Sequence, residues 1–255
     1  GLLLPNGRRI FNVAIRTIQL HRGQAIYGVG GGITWDSTWE SEYREVQQKA
    51  AVLYRKQPRF QLITTGKISQ KKLLFEKQHL ERLQKASRYF AFPFDQEVLR
   101  QKIEKEYQSC DIRQDYRIRI SLSKSGEIEI ERQVLTPLSS SFCQAKLCLQ
   151  EADLQQAFTY FKTTHRPHLT VGEQEIIYHT ADGKLLETSI GNLVLKMDGK
   201  LYTPPSTLGI LPGIYRQHLL EIGQVEEKVL TLSDLKEAEV IYGCNAVRGL
   251  YELKI

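Results

Sequence analysis

The chain has 255 residues, 41% of them hydrophobic and 25% charged, with a net charge of +6 near neutral pH. That length allows one large domain or two modest ones, and the composition is that of a soluble globular protein. No apolar stretch approaches the length of a membrane span, so no membrane partner is expected.

The opening GLLLPNGRRI lacks the basic start, long apolar centre and small-residue cleavage site of a secretory signal. Its first residue is Gly1 rather than Met, which points to a processed product or a fragment. Cys110, Cys143, Cys148 and Cys244 form no CxxC pair, and no Cys/His grouping has structural-zinc spacing. A reduced, cytoplasmic protein is expected. The positive charge suits an anionic ligand, but it is scattered. No RNP, KH or helix-turn-helix pattern accompanies it, so nucleic acid is not an expected partner.

In chain order, residues 10 to 36 read as strands, with IFNVAIRTIQL returning through Gly23 into QAIYGVGGGITW. Ser37, Thr38, Trp39 and Glu40 have the form of a capping box, and a helix should follow through ESEYREVQQKAAVLYRK and stop before Pro58. RFQLITT reads as a strand broken by Gly66. EKQHLERLQKASRYFAF places Leu80, Leu83, Ala86 and Phe90 at helical spacing and should end before Pro93. Asp95 can cap the next helix, QEVLRQKIEKEY. YRIRISLSKSGEIEIERQVL alternates around Lys124, Ser125 and Gly126, the pattern of a hairpin. After a serine-rich connector come further strands, one turning at Asp198-Gly199. A short helix GIYRQHLLEIG, a helix capped from Ser233 and the strand EVIYGC complete the order. So many hairpins exclude a doubly wound parallel sheet; the class is α+β.

Two stretches invite a chemical reading. In AIYGVGGGITWDS the sixth position counted from Gly28 is Ile33, so the dinucleotide fingerprint fails. No Gly-Lys-Ser/Thr follows, so it is no Walker loop either. The alternatives are a glycine-bulged sheet edge or a run of free N–H groups that holds a carboxylate. In FTYFKTTHRPH, Lys162 follows Phe158, Tyr160 and Phe161. A partly desolvated lysine has a lowered pKa and an amine able to attack a carbonyl, whereas an ordinary lysine is a solvated charge. His165 and His168 are too poorly supported for a metal, with Pro167 between them and no third ligand.

FNVAIRT, YGVGGGITWDS and ESEYREVQQKA resemble the C-terminal end of chorismate-utilising enzymes, in particular aminodeoxychorismate synthase component I. The resemblance implies that Arg16 and the backbone of Gly30, Gly31 and Gly32 match carboxylate-holding positions, and that Glu45 matches a Mg²⁺ ligand. A guanidinium and free N–H groups do suit carboxylates, and a hard cation prefers oxygen. It covers residues 1 to about 55, while the family's domain is several times longer, with its base and other Mg²⁺ ligand upstream. Synthase activity, and Mg²⁺ itself, are therefore expected only with an intact synthase domain.

From about Phe60 to Leu250, HLERLQKASRYFAFP, the Lys162 segment, LLETSIGNLVLKMDGKLYTPP, GILPGIYR and YGCNAVRG resemble fold-type-IV pyridoxal-phosphate enzymes. That group includes branched-chain and D-amino-acid aminotransferases and 4-amino-4-deoxychorismate lyase. The resemblance implies two α/β subdomains, 57–142 and 143–255, after a chorismate-binding remnant at 1–56. It implies that Lys162 attaches pyridoxal 5'-phosphate and moves protons, that Glu187 pairs with the pyridine nitrogen, and that Arg82 holds the phosphate. Ile214, Tyr215, Cys244 and Asn245 would complete the phosphate cup, and Arg166 and Arg248 would hold substrate carboxylates. Thr65 is the candidate proton donor to a departing enolpyruvyl group. Thr188 stands where the group usually has glycine, and Gln61 and Thr64 replace two carboxylates. KTTHRP, NAVRG and the chorismate-enzyme segment favour a lyase fused to synthase component I. It would form 4-aminobenzoate, a folate precursor, as a homodimer, with a glutamine amidotransferase partner for the full fusion. The alternatives are an aminotransferase of branched-chain or D-amino acids, and a non-catalytic module.

Overall fold

The computed structural model describes residues 2–11, 17–54, 58–138, 140–151, 157–170 and 172–255. The chain divides into two units, Gly1–Pro58 and Arg59–Ile255. Among the described residues no helix is long and apolar enough to cross a membrane.

In the first unit, β1 (Leu2–Leu3) pairs with β2 (Arg9–Ile10), and β3 (Ile18–His21) pairs with β4 (Gln24–Tyr27). The second hairpin turns at Arg22 and Gly23, both at positive φ, the conformation that matches strand twist in a two-residue turn. α1 covers Trp39–Tyr54. Gly28 to Asp36 is not strand, contrary to the sequence expectation. With no side chains to pack on a neighbour, the glycines gain little from pairing. The helix cap also moves by one residue. Thr38 Oγ1 accepts from the Ser41 N–H at 3.3 Å, while the Ser37 hydroxyl is engaged by the Thr34 N–H and Glu42. Two adjacent hydroxyls compete for one cap, and the preceding turn takes the first.

The second unit begins with β5 (Leu62–Ser69), β6 (Lys72–Leu73), α2 (Glu76–Phe90), α3 (Gln96–Ser109), β7 (Tyr116–Leu122) and β8 (Ile128–Val134). The strands form one antiparallel sheet in the order β6-β5-β7-β8. Leu62 and Ile68 of β5 and Ile118, Ile120 and Leu122 of β7 point into a core that Leu80 and Leu83 of α2 and Leu99 and Ile103 of α3 complete. Alternation leaves Ile63, Thr65, Arg117 and Arg119 on the other face. β5 runs straight through Gly66, which the sequence reading took as a breaker. A Cβ there would sit 2.6 Å from His79 Nε2 and 2.8 Å from Leu73 Cδ1, so α2 and β6 pack where a side chain would be. Asp95 caps α3 as expected, accepting from the N–H groups of Glu97 and Val98.

The remaining elements are β9 (Phe142–Leu149), α4 (Ala157–Tyr160), β10 (Glu175–His179), β11 (Leu185–Thr188), β12 (Asn192–Met197), β13 (Lys200–Thr203), α5 (Ile214–Glu221), β14 (Glu226–Glu227), α6 (Leu232–Glu237), β15 (Val240–Asn245) and β16 (Gly249–Lys254). The strands join in the order β11-β10-β9-β16-β15-β12-β13-β14, and β11 also pairs with β12. That extra pairing, Glu187 opposite Asn192, closes the sheet on itself into a barrel with β13 and β14 as an extension. Closure removes two sheet edges. Leu185, Leu193, Leu195 and Leu253 fill one core cluster of this sheet. α6 is capped by Thr231 with Asp234 rather than from Ser233, because Thr231 is the residue with extended backbone before the helix. The four-stranded sheet lies within 57–142, and the eight-stranded sheet begins at Phe142.

Candidate active site

A cavity of about 630 Å³ opens between the helix-free face of the four-stranded sheet and the strand ends of the barrel, all within the second unit. Its volume falls in the usual range for small-molecule sites. Lys162 lies on its wall, and the local structure explains why. The Lys162 carbonyl accepts from the Ile63 N–H at 2.9 Å, and the Thr164 N–H donates to the Gln61 carbonyl at 3.0 Å. The Thr164 hydroxyl accepts from the Gln61 N–H at 2.9 Å. The lysine segment is thereby tied to β5 like a short extra strand. Phe158 packs edge-on against Phe60 at 5.0 Å, and Phe161 against Tyr89 at 4.6 Å. These rings anchor the backbone just before the lysine.

The Lys162 side-chain amine makes no hydrogen bond or ion pair among the described residues. Burial, and then the nearby cations Arg82, Arg166 and Arg117, lower its pKa to about 7, against the opposing pull of Glu187. Glu187 is 4% exposed. Burial raises its pKa to about 7, although Arg166, the Leu211 N–H and Lys162 all act in the other direction. Arg166 reaches Glu187 only at 3.9 Å, which is why desolvation prevails.

An anion cradle lies at the start of α5. Gly213 caps the helix without a side-chain hydrogen bond, and Gly213 and Ile214 line the cavity. The free N–H groups of a helix N-terminus favour negative charge. Arg82, half-buried on α2, donates to the Pro212 carbonyl beside them at 2.7 Å. Burial and Arg166 lower its pKa to about 10, which leaves the guanidinium charged at neutral pH. Asn192 donates to the Leu211 carbonyl at 2.8 Å and fixes this loop. A Cβ on Gly213 would lie 1.9 Å from Asn192 Oδ1, so the approach needs glycine.

Thr65 lines the cavity, whereas Thr64 faces the core and hydrogen-bonds His79 Nδ1 at 2.6 Å. Cys244 lines it too, but burial pushes its thiol up to about 12, so it is no nucleophile. Asn245 Oδ1 accepts from the N–H groups of Val247 and Arg248 and shapes the turn at the cavity rim. Arg248 donates to the Thr136 carbonyl at 2.9 Å. Tyr215 departs from expectation: its ring is not in the cavity lining but packs against Phe75 and Gly249, because it lies on the side of α5 turned from the cavity.

The sequence reading missed Arg117, Arg119, Ser189 and Asn192, all on the cavity wall. The alternation of YRIRISL held the signal, since both arginines share one strand face. Arg119 stands opposite Thr65 in the β5–β7 register. The Nε atoms of Arg119 and Arg166 are buried without a hydrogen-bond partner. Unpaired guanidinium donors facing a cavity suit an anionic guest. The cradle at α5, the single nearby carboxylate and the free amine fit the phosphate, ring nitrogen and carbonyl of pyridoxal phosphate.

The first unit shows a different picture. Arg16 lies outside the described residues. Glu45 pairs with Lys49 at 2.5 Å, and Lys49 donates to the Gly30 carbonyl at 2.9 Å. A Cβ on Gly31 would meet Glu42 at 3.0 Å and Glu45 at 3.8 Å, so carboxylates already border the glycine run. No group of three or more His, Cys, Asp or Glu side chains that could hold a metal occurs among the described residues.

Residues 61–254 match the amino-transferase class IV family, and residues 1–55 match the chorismate binding enzymes. An aminodeoxychorismate lyase of Saccharomyces cerevisiae is 25% identical over 198 residues, 57% of this chain and 53% of that protein. A protein of Mesorhizobium loti described as a putative amino-acid aminotransferase superposes with a TM-score of 0.68 at 26% identity, covering 76% of this chain and 99% of that one. A pyridoxal-phosphate-bound structure of a hypothetical aminotransferase from Mycobacterium tuberculosis superposes with a TM-score of 0.63 at 16% identity, over 80% of this chain and 82% of that one. The curated relatives are matched over only 36% to 53% of their own length. With the class IV match extending over the whole second unit from Gln61 onward, the chain belongs to the amino-transferase class IV family.

Proposed function

We propose that this chain is a pyridoxal-phosphate-dependent 4-amino-4-deoxychorismate lyase, which forms 4-aminobenzoate and releases pyruvate. The observation that carries the reading is one cavity holding Lys162 and Glu187 among five arginines, Arg82, Arg117, Arg119, Arg166 and Arg248. A cofactor phosphate uses Arg82 and the α5 terminus. A substrate with two carboxylates gives the remaining guanidiniums partners. The chorismate-binding match at 1–55 and the yeast lyase among the relatives support the same substrate class.

When bound, pyridoxal phosphate supplies a carbonyl that condenses with amines and a ring that spreads negative charge. Lys162 would anchor it, and its amine, with a pKa near 7 in the cofactor-free chain, would take the proton from C4 of the substrate ring. Glu187 holds the proton at the ring nitrogen. Arg119 and Arg166 hold carboxylates and orient the C3–O bond that breaks. Its electron pair leaves with the enolpyruvyl oxygen, and Thr65 delivers the proton that completes pyruvate. Loss of the C4 proton and of the enolpyruvyl group leaves an aromatic ring, which drives the reaction forward.

The test is a coupled pyruvate assay on 4-amino-4-deoxychorismate, comparing the unaltered chain with Lys162→Ala. Pyruvate from the former and none from the latter is expected. A chain that binds pyridoxal phosphate but releases no pyruvate overturns the lyase reading. The likeness to the Mesorhizobium loti protein, described as a putative amino-acid aminotransferase, favours a second reading, an aminotransferase. Of the substrates, a branched-chain amino acid is supported by a 29% identical relative in Thermotoga maritima named as a probable branched-chain-amino-acid aminotransferase. The sign of this second reading is a stable pyridoxamine absorbance on mixing the loaded protein with an amino acid.

A further inference from the structure

Behind the cavity wall lies a carboxylate that the proposed chemistry leaves unused. Glu175, the first residue of β10, is 7% exposed and pairs with no cation among the described residues. Its Oε1 accepts two hydroxyls, Thr188 Oγ1 at 2.5 Å and the Tyr251 hydroxyl at 2.8 Å. Burial still holds its carboxyl above the usual range. Burying a carboxylate without a counter-charge is costly on general grounds, so its partners here need an account.

Those partners converge on the turn between β11 and β12. Glu187 faces the cavity and Thr188, the next residue, faces away from it, as strand alternation requires. Thr188 is fully buried. Its N–H donates to the Gly191 carbonyl at 2.9 Å, and its Oγ1 accepts from the Gly191 N–H at 2.9 Å. The Gly191 carbonyl lies 3.1 Å from the same hydroxyl, farther than Glu175, so the hydroxyl proton goes to the carboxylate. The Tyr251 ring crosses Gly243, where a Cβ would lie 2.5 Å from it, and its hydroxyl would sit 3.0 Å from a Cβ on Gly191. Three elements, β10, β16 and the turn, thus meet at one carboxylate oxygen.

We infer that Glu175 is a positioning residue: through Thr188 and Tyr251 it fixes the turn 188–191, and with it the direction in which Glu187 and Asn192 face the cavity. The route is short. Asn192 follows the turn and pairs with Glu187 across it, Asn192 holds the Leu211 carbonyl, and the Leu211 N–H donates to Glu187 at 3.3 Å. This assigns a use to Thr188, the residue that stands in place of the group's usual glycine. Holding the turn is independent of the cofactor; only the effect on cofactor affinity rests on the proposed function.

The experiment is amide hydrogen exchange on the cofactor-free full chain, read at residues 188–192 relative to globally exchanging amides. A titration with pyridoxal phosphate alone accompanies it. Thr188→Val and Glu175→Met should each speed exchange at Gly191 by about tenfold, the factor expected for one lost buried hydrogen bond, and weaken the cofactor in parallel. Thr188→Ser and Glu175→Gln, which keep a hydroxyl and an acceptor, should stay near the unaltered protein. Unchanged exchange at Gly191 in the Val and Met variants overturns the inference, as does a purely global loss of stability. Where those variants fail to fold, Tyr251→Phe removes one hydroxyl at constant shape. Faster turn exchange then supports the inference, and no change overturns it. An unaltered chain that takes up no pyridoxal phosphate while the exchange pattern holds overturns the proposed function and leaves this inference standing.

Discussion

Both units carry motifs of known families, yet they treat those motifs in opposite ways. In Arg59–Ile255 the chemistry-bearing residues sit on walls backed by closed cores: Lys162 on the segment tied to β5, Arg82 on α2, Glu187 at the seam of the barrel. In Gly1–Pro58 no described residue is buried, α1 buries none of its side chains, and Trp35 is fully exposed. Desolvation is what moves the Lys162 and Glu187 pKa values toward neutrality. Titratable groups of a motif move toward neutrality here where the fold removes water from them.

The largest expected effect tests that link directly. Lys162→Met should lower pyruvate release by at least about a thousandfold, within the range a general base supplies. The same change should stabilise the cofactor-free protein. Lys162 titrates near 7 when folded and near 10.5 when unfolded, so the unfolded chain binds more protons between those values. Stability of the unaltered protein therefore rises with pH across that window, and the Met variant should lack the slope and gain most at and below pH 7. Glu187→Gln should remove a slope of the other sign. The folded carboxyl, raised from 4.5 to about 7, binds more protons than the unfolded one, so that contribution is lost as pH rises through the window. Denaturant midpoints measured across both windows decide it; identical slopes in all three proteins would break the argument.

Glycines give the next contrast. Gly66→Ala forces a Cβ against His79 and Leu73 and should destabilise by about 1–3 kcal/mol, as overpacked cores do. Gly30→Ala meets nothing within 4 Å and should change stability by less than about 0.5 kcal/mol. Thermal melts of the two variants compare the units residue for residue. A larger loss at Gly30 would show that the first unit has packing that its exposure conceals.

Arg119→Met removes one unpaired guanidinium from the cavity without touching Lys162. KM for the dicarboxylate substrate should rise about tenfold with a smaller change in kcat, the pattern of lost binding shared by ground and transition states. Affinity for pyridoxal phosphate should hold, because Arg82 and the α5 terminus remain. A loss of cofactor instead would move Arg119 to the phosphate side.

How far the sequence reached follows from the same physics. The order of short motifs brought Lys162, Glu187, Arg82, Ile214, Cys244, Arg166 and Arg248 into view, and one cavity gathers them. Arg117 and Arg119 were not singled out because alternation defines two strand faces and does not say which one meets a cavity. Gly66 read as a breaker because propensity ignores a helix waiting to fill the missing side chain's space. The Tyr215 ring turns elsewhere for a related reason: on an eight-residue helix, one step of rotation separates the cavity side from the packed side. Barrel closure at Glu187 and Asn192 joins strands only through their register, which no local pattern announces.

The smallest expected effect belongs to the tightest polar contact among the first unit's described residues. Lys49 meets Glu45 at 2.5 Å and also holds the Gly30 carbonyl, so by distance alone it rivals anything in the cavity. Its surroundings argue otherwise: the side chains are 26% and 51% exposed, and water screens the pair. An ion pair one helical turn apart in such a setting contributes about 0.5 kcal/mol. Lys49→Met should therefore shift the melting temperature only slightly and leave pyruvate release within about twofold, a change well under the 1.4 kcal/mol that a tenfold effect requires. A tenfold loss would make the exposed helix α1 part of the working site, and the contrast between a buried motif and a displayed one would then fail.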